Sequence, residues 1–419
     1  MQIKKKLICL LIILLFFGCN RRQEEYQETR TPVTFTINYA FGDYITGSVK
    51  AAIIQDFMHL NPHVTILENS VMNLQLLHAL DEFPDLLEFR HSFDFVTAGL
   101  IGKLPPDIIN LFDIDSDFEG RYFIAPISRG HVTGIIYNRK IFRELGISAD
   151  QIKTFNDFLE VCQKIKNAGI APIVFGGADI WHLGFWWGYF WQREVSINNP
   201  NWIAYRHEGR VRFTDPEVRA ALTGLHELFC RGFIIEHWNT IAEVQCPGIL
   251  VSGQAAMYYI GQFVFQQIAD IDSDFEFGYF NLPDNYGRIN IIARPSNTGW
   301  SVSAQAQKCP VKSEAIFDFI RYFFSDEVYA NYLSRTNSLP TLKHKIDFPV
   351  SEQLRKVMDS VERAEHRQLN WNEAITGPNV LPPGFRNFSY RLVTEWLLNM
   401  HNIDYVLNAM DREWERITR

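Results

Sequence analysis

The chain has no excess of positive charge: 40 Lys and Arg stand against 48 Asp and Glu, a formal net charge of −8. A surface that grips phosphates needs clustered Lys and Arg, so nucleic-acid binding has no electrostatic footing. Cysteine is also scarce. Of the six, Cys9 and Cys19 lie near the N-terminus, while Cys162, Cys230, Cys246 and Cys309 are widely spaced and form no C-x-x-C pair. Cys162 and Cys230 fall on apolar helix faces and read as small buried hydrophobes, although export would leave a disulfide open. A Gly-x-Ser-x-Gly elbow, a phosphate loop and a His-Glu-x-x-His metal pair are all lacking, and the closest histidines, His59 and His63, are interrupted by helix-breaking Pro62. No catalytic residue, cofactor or metal is expected. No internal repeat or low-complexity tract is visible.

What is present begins at the N-terminus. Lys4, Lys5 and Lys6 precede an unbroken apolar run from Leu7 to Phe17, the basic and hydrophobic regions of an export signal. The run falls short of the about 20 apolar residues that span a bilayer as a helix, so cleavage is expected over a permanent span. Phe16-Phe17-Gly18-Cys19 resembles a lipobox, with Cys19 as the lipidated new N-terminus; Phe16 and Phe17 depart from the aliphatic and small residues usual there. The alternative is a plain cleaved signal with an incidental cysteine. The polar stretch 19–31 reads as a tether.

A body of this length exceeds what one core supports, since cores stop growing near about 250 to 300 residues, and two lobes are expected. Val33, Phe35, Ile37 and Tyr39 alternate as a strand, Val49, Ile53, Phe57 and Leu60 share a helix face that Asn61-Pro62 ends, and Val64 to Leu67 reads as a second strand. This strand, helix, strand unit predicts a mainly parallel α/β sheet. Thr154 and Asp157 form a capping box for a helix burying Phe155, Phe158, Leu159, Cys162 and Ile165 and ending at Gly169. Ala171 to Phe175 is a strand candidate. A helix beginning at Thr214-Asp215-Pro216 carries the stripe Val218, Ala221, Leu222, Leu225, Leu228 and Phe229. Further helices are read around Ile316 to Phe323 and from Ile403 to Ile417, and Ser301 to Ala304 reads as a strand.

Several landmarks occur in an order that resembles the extracellular solute-binding proteins of sugar-uptake ABC transporters. They are Gly134 to Gly146 with Tyr137-Asn138, the capped segment Thr154 to Phe158, Lys166-Asn-Ala-Gly169-Ile-Ala-Pro172, Gly253-Gln-Ala-Ala-Met257 leading to Gly261, and Leu339-Pro340-Thr341. The resemblance implies an α/β, two-lobed periplasmic-binding-protein-like fold of type II, each lobe a mixed sheet flanked by helices, with the ligand in a cleft that closes by hinge motion. It implies a signal peptide over 1–18, a first lobe from 32–137 and 293–341, a second from 138–292, and a helical part, 342–419, packing mainly on the second. Crossings are expected near Asn138, Ala293 and Thr341.

A sugar has apolar C–H faces bordered by hydroxyls, so a good site stacks an aromatic ring on the face and aims donors and acceptors at the rim. The chain has ten Trp, 16 Tyr and 33 Phe, more Trp than a core needs. The segment Gly176 to Trp187 follows a predicted strand and concentrates Asp179, Trp181, His182, Trp186 and Trp187, the best candidates for ligand contact. The alternative for the later tryptophans is packing at the start of a helix. Trp300, ahead of its strand, is a further candidate, as are Asp43, Trp238, Gly261 and Gln262; the alternatives are a helix cap for Asp43 and cover for a lobe edge for Trp238. The expected activity is capture of a sugar or oligosaccharide and its delivery to an ABC permease by a monomer lipid-anchored outside the cytoplasm. Competing readings are the binding lobe of a sensor or chemoreceptor and a secreted carbohydrate-active enzyme, which would need two carboxylates across the cleft.

Overall fold

In the computed structural model, residues 31–39, 44–69, 73–90, 94–112, 122–129, 131–292, 298–368, 370–374 and 377–419 are described. The export signal, Cys19 and Asp43 lie outside them.

The chain begins with β1 (Val33–Asn38), α1 (Tyr44–Leu60), β2 (Val64–Asn69), β3 (Leu86–Arg90) and β4 (Ala125–Pro126). β1 runs parallel to β2 and β3, as apolar strands joined through a helix do. On α1 the residues Val49, Ile53 and Phe57 are buried, but Leu60, expected on the same face, is 63 % exposed at the helix end.

The second sheet is built from β5 (Thr133–Asn138), β6 (Ala171–Val174), β7 (Ala255–Gly261) and β8 (Phe277–Phe280), in the order β6-β7-β5-β8. Helices fill the stretches between these strands, three of them at positions the sequence marks. α2 (Phe155–Asn167) has the expected capping box between Thr154 and Asp157 and ends before Gly169, whose φ is +78°. α3 (Leu183–Trp191) is buried on all sides, as a helix without a polar face must be. α4 (Pro216–Cys230) buries Val218, Ala221, Leu222, Leu225 and Leu228. Cys230 is exposed, not buried, because the stripe has rotated away by the last turn, whereas Cys162 is buried as expected; both are free thiols.

After β9 (Asn290–Ile292) the chain returns to the first sheet through β10 (Thr298–Val302), which lies antiparallel between β3 and β4 and completes the order β2-β1-β3-β10-β4. The strand begins at Thr298, ahead of the predicted Ser301, and so contains Trp300. α5 (Pro310–Phe323) covers this sheet with Ile316, Phe319, Ile320 and Phe323. α6 (Glu352–Arg363), β11 (His366–Gln368), α7 (Phe385–Leu397) and α8 (Ile403–Thr418) follow, and their buried residues belong to the core of the second sheet. The two sheets thus have separate cores. β5 pairs with β7 and β8 along its length, so the first crossing precedes Thr133 instead of falling at Asn138. The crossing segments lie side by side: Arg129 N–H donates to the Leu339 carbonyl at 3.0 Å, the Arg129 guanidinium to Pro340 at 2.8 Å, and the Thr341 hydroxyl to Pro126 at 2.7 Å.

Candidate ligand-binding crevice

β4 is antiparallel to β10, which is antiparallel to β3, so β4 ends on the same edge as the carboxyl ends of β1, β2 and β3. It leads directly into β5, whose first residue, Thr133, pairs with Gly261 at the carboxyl end of β7. The short connection 127–132 therefore joins the carboxyl-end edges of both sheets, where open α/β sheets bind ligands.

On the second sheet this edge holds most of the sequence-predicted residues. Asp179 accepts from the Glu243 backbone N–H at 2.8 Å, and Glu243 accepts from the Tyr258 hydroxyl at 2.7 Å. A Cβ at Gly176 would stand 2.6 Å from the Glu243 Cα, so glycine is what lets the two loops close on each other. Asp179 therefore ties loops together. His182 Nδ1 accepts from the Gly176 N–H at 2.9 Å, and its ring stacks on Phe175. Burial drives the His182 pKa down to about 3, so the imidazole is neutral. Gln262 is also buried, its side-chain carbonyl accepting from Val132 N–H at 2.8 Å. A Cβ on Gly261 would come within 2.9 Å of His131 Cβ. Trp238 is half-buried against Phe175 and Phe229.

Three of the predicted tryptophans go elsewhere. Trp186, Trp187 and Trp300 are each 0 % exposed. Trp186 packs on Tyr259 at 4.4 Å, Trp187 on Trp371 at 4.9 Å, and Trp300 edge-on to Phe319 and Phe323. Their faces are covered by other rings, as the packing alternative for them had it, where the expectation was contact with a ligand. Trp181 differs: it is 42 % exposed and stands edge-on to Phe185 at 5.9 Å. Trp181 and Phe185, with His131, Thr133, Gly184, Asn370 and Tyr390, line a small recess.

Sequence reasoning missed His131, Thr133, Asn370 and Tyr390. Tyr390 comes from α7 and accepts a hydrogen bond from the Asn372 side chain, and Asn370 donates to the Gly184 carbonyl at 3.2 Å. Both arrive from far along the chain, and no local motif marks them. The first sheet supplies the other edge. Lys50 and Glu88 form a buried ion pair at 2.7 Å, and the Tyr39 hydroxyl donates to the Glu68 carboxylate. Burial and Glu68 together raise the Tyr39 pKa, which keeps that hydroxyl a donor. The two edges thus combine one exposed ring, that of Trp181, with hydroxyl, amide and carboxylate groups.

The family described as bacterial extracellular solute-binding protein matches residues 23–330. The multiple sugar-binding protein of Streptococcus mutans is 19% identical over 317 residues, covering 70% of this chain and 72% of its own. An uncharacterized ABC transporter extracellular-binding protein of Pyrococcus horikoshii is 34% identical over 269 residues, covering 58% of this chain and 57% of its own. Among solved structures, a chitin oligosaccharide binding protein superposes with a TM-score of 0.79 at 20% identity, over 92% of this chain and 99% of that one. The binding protein RafE in complex with raffinose gives 0.71 at 17% identity, over 92% and 100%. The separate sheets, their adjoining carboxyl-end edges and a family match over most of the sequence lead to one conclusion: the chain belongs to the bacterial extracellular solute-binding proteins, with their two-lobed type II fold.

Proposed function

We propose that this protein captures a carbohydrate between its lobes and delivers it to the permease of an ABC importer, without chemical change to the ligand. The observation that carries the reading is Trp181 beside Phe185 at the mouth of a recess ringed by hydroxyl, imidazole and amide groups. An exposed indole face matches the C–H face of a pyranose, and the polar groups match its rim. The sugars named for the Streptococcus mutans relative and for the similar structures point the same way. The adjacent crossing segments around Arg129 and Thr341 are where the lobes would pivot on closure.

Export and anchoring follow the N-terminal reading, with Cys19 as the lipid-bearing residue. Among the described residues no helix is long and apolar enough to cross a membrane. A Cys19→Ala variant should shift the protein from the membrane fraction to the soluble one.

The capture reading is tested by thermal shift. A ligand that binds only the folded state raises the melting temperature, so a panel of mono- and oligosaccharides, amino acids, polyamines and anions should yield shifts with saccharides alone. A shift confined to another solute class would overturn the carbohydrate assignment.

A further inference from the structure

The recess beside Trp181 admits the centre of a water-sized group over a volume of about 20 Å³. A single water needs about 10 to 15 Å³ by that measure, so the recess has room for about one or two non-hydrogen atoms and none for a sugar ring. Its size is fixed by its walls. A Cβ on Gly184 would stand 2.1 Å from the Tyr390 hydroxyl oxygen, so glycine at this position brings Tyr390 in close. Tyr390 accepts from the Asn372 side chain, Asn370 is tied to the Gly184 carbonyl at 3.2 Å, and Thr133 is held in β5 opposite Gly261. The walls cannot draw apart to admit a ring without breaking these contacts.

We propose that this recess takes the exocyclic hydroxymethyl group of a hexose, so that the protein selects hexose units over pentoses. This rests on the carbohydrate reading above and names the sugar class for the same site. A pyranose lying on the exposed Trp181 face brings its rim to the recess, which Trp181 itself walls. The hydroxymethyl arm, one carbon and one oxygen, matches the space, whereas a bulkier rim substituent such as an acetamido group exceeds it. The lining matches too. Trp181 and Phe185 offer apolar surface to the carbon, and Thr133 offers a hydroxyl to the oxygen. The Thr133 hydroxyl shares one long hydrogen bond, 3.4 Å, with Tyr259 and has no other side-chain partner among the described residues, so it retains capacity for a bond to the ligand. A pentose forfeits that bond and leaves the recess unfilled. A site built to bond a substrate hydroxyl rejects the analogue lacking it more strongly than a missing methylene alone would.

The test is calorimetric titration of hexoses against the pentoses that lack only the hydroxymethyl group: D-glucose against D-xylose, D-galactose against L-arabinose, and cellobiose against xylobiose. The saccharide with the largest thermal shift should contain a hexose, and hexoses should bind about tenfold or more tighter than their pentose counterparts. Quinovose, which is glucose without that one hydroxyl, should fall between glucose and xylose. Thr133→Val keeps the β-branched shape and removes the hydroxyl. It should weaken hexose binding several-fold while leaving pentose affinity within about twofold, and Thr133→Ser should keep the hexose preference. Pentoses that bind as tightly as hexoses, or a loss in Thr133→Val that falls equally on both, would overturn the inference and leave the carbohydrate reading intact. The sugar comparison uses the wild-type protein, so it decides the matter even if Thr133→Val fails to fold. No binding of any saccharide would overturn both.

Discussion

Trp181 and Phe185 stand with ring centroids 5.9 Å apart and planes at 71°, four residues apart where the Ile180–His182 turn enters α3. The geometry leaves the Trp181 face open while Phe185 is nearly covered. An edge-to-face partner holds an exposed indole in one orientation, which is what a stacking platform requires.

Trp181→Ala should therefore abolish the ligand-induced thermal shift while changing the unliganded melting temperature little, because an exposed ring contributes little burial. Differential scanning fluorimetry with and without ligand measures both. A large drop in the unliganded melting temperature would mean that the ring packs and does not bind.

Trp186→Ala and Trp300→Ala should do the reverse. Each ring is fully buried, and large-to-small changes at such positions cost about 3 to 5 kcal/mol. Chemical denaturation should show the loss in the second lobe for Trp186 and in the first for Trp300, with retained affinity in whatever fraction remains folded.

His182 gives a pH signature. Its folded pKa is depressed from the ordinary 6.5 to about 3 by burial, so between these values the unfolded chain holds a proton that the native one does not. The contribution of the neutral ring is complete above pH 6.5 and is lost as pH falls, at up to about 1.4 kcal/mol per unit. Melting temperature measured from pH 7 to 4.5 should fall less steeply in His182→Gln than in the wild type. Parallel curves would contradict the assignment.

The Lys50–Glu88 pair predicts asymmetric mutants. Both side chains are almost fully buried, and removing one partner strands a charge, at about 3 to 5 kcal/mol. Lys50→Met should melt well below the wild type, and the double variant Lys50→Met/Glu88→Gln should recover much of the difference. Urea denaturation of the set checks it.

Much of the fold was legible because its signals are local. The alternation of Val33 to Tyr39, the capping box at Thr154 and the glycine after α2 each depend on a few adjacent residues. The strand leading to Gly261 and the edge it reaches were legible too, through the family resemblance. Burial around α3 was not: Leu183 to Trp191 is apolar on every face, so periodicity could not say which tryptophans point to the core. Trp300 is buried within a strand that begins at Thr298, ahead of the position read from the sequence. Asn370 and Tyr390 carry no local signature, since only tertiary packing brings the chain's last part against Gly184.

The most direct test of the account is isothermal titration of the purified mature domain with the sugar giving the largest thermal shift, in the wild type and in Trp181→Ala. The account predicts saturable binding at one ligand per chain, an unaltered sugar recovered afterwards, and loss of binding in the variant. Turnover of the sugar without saturable binding, or undiminished affinity in Trp181→Ala, would contradict it.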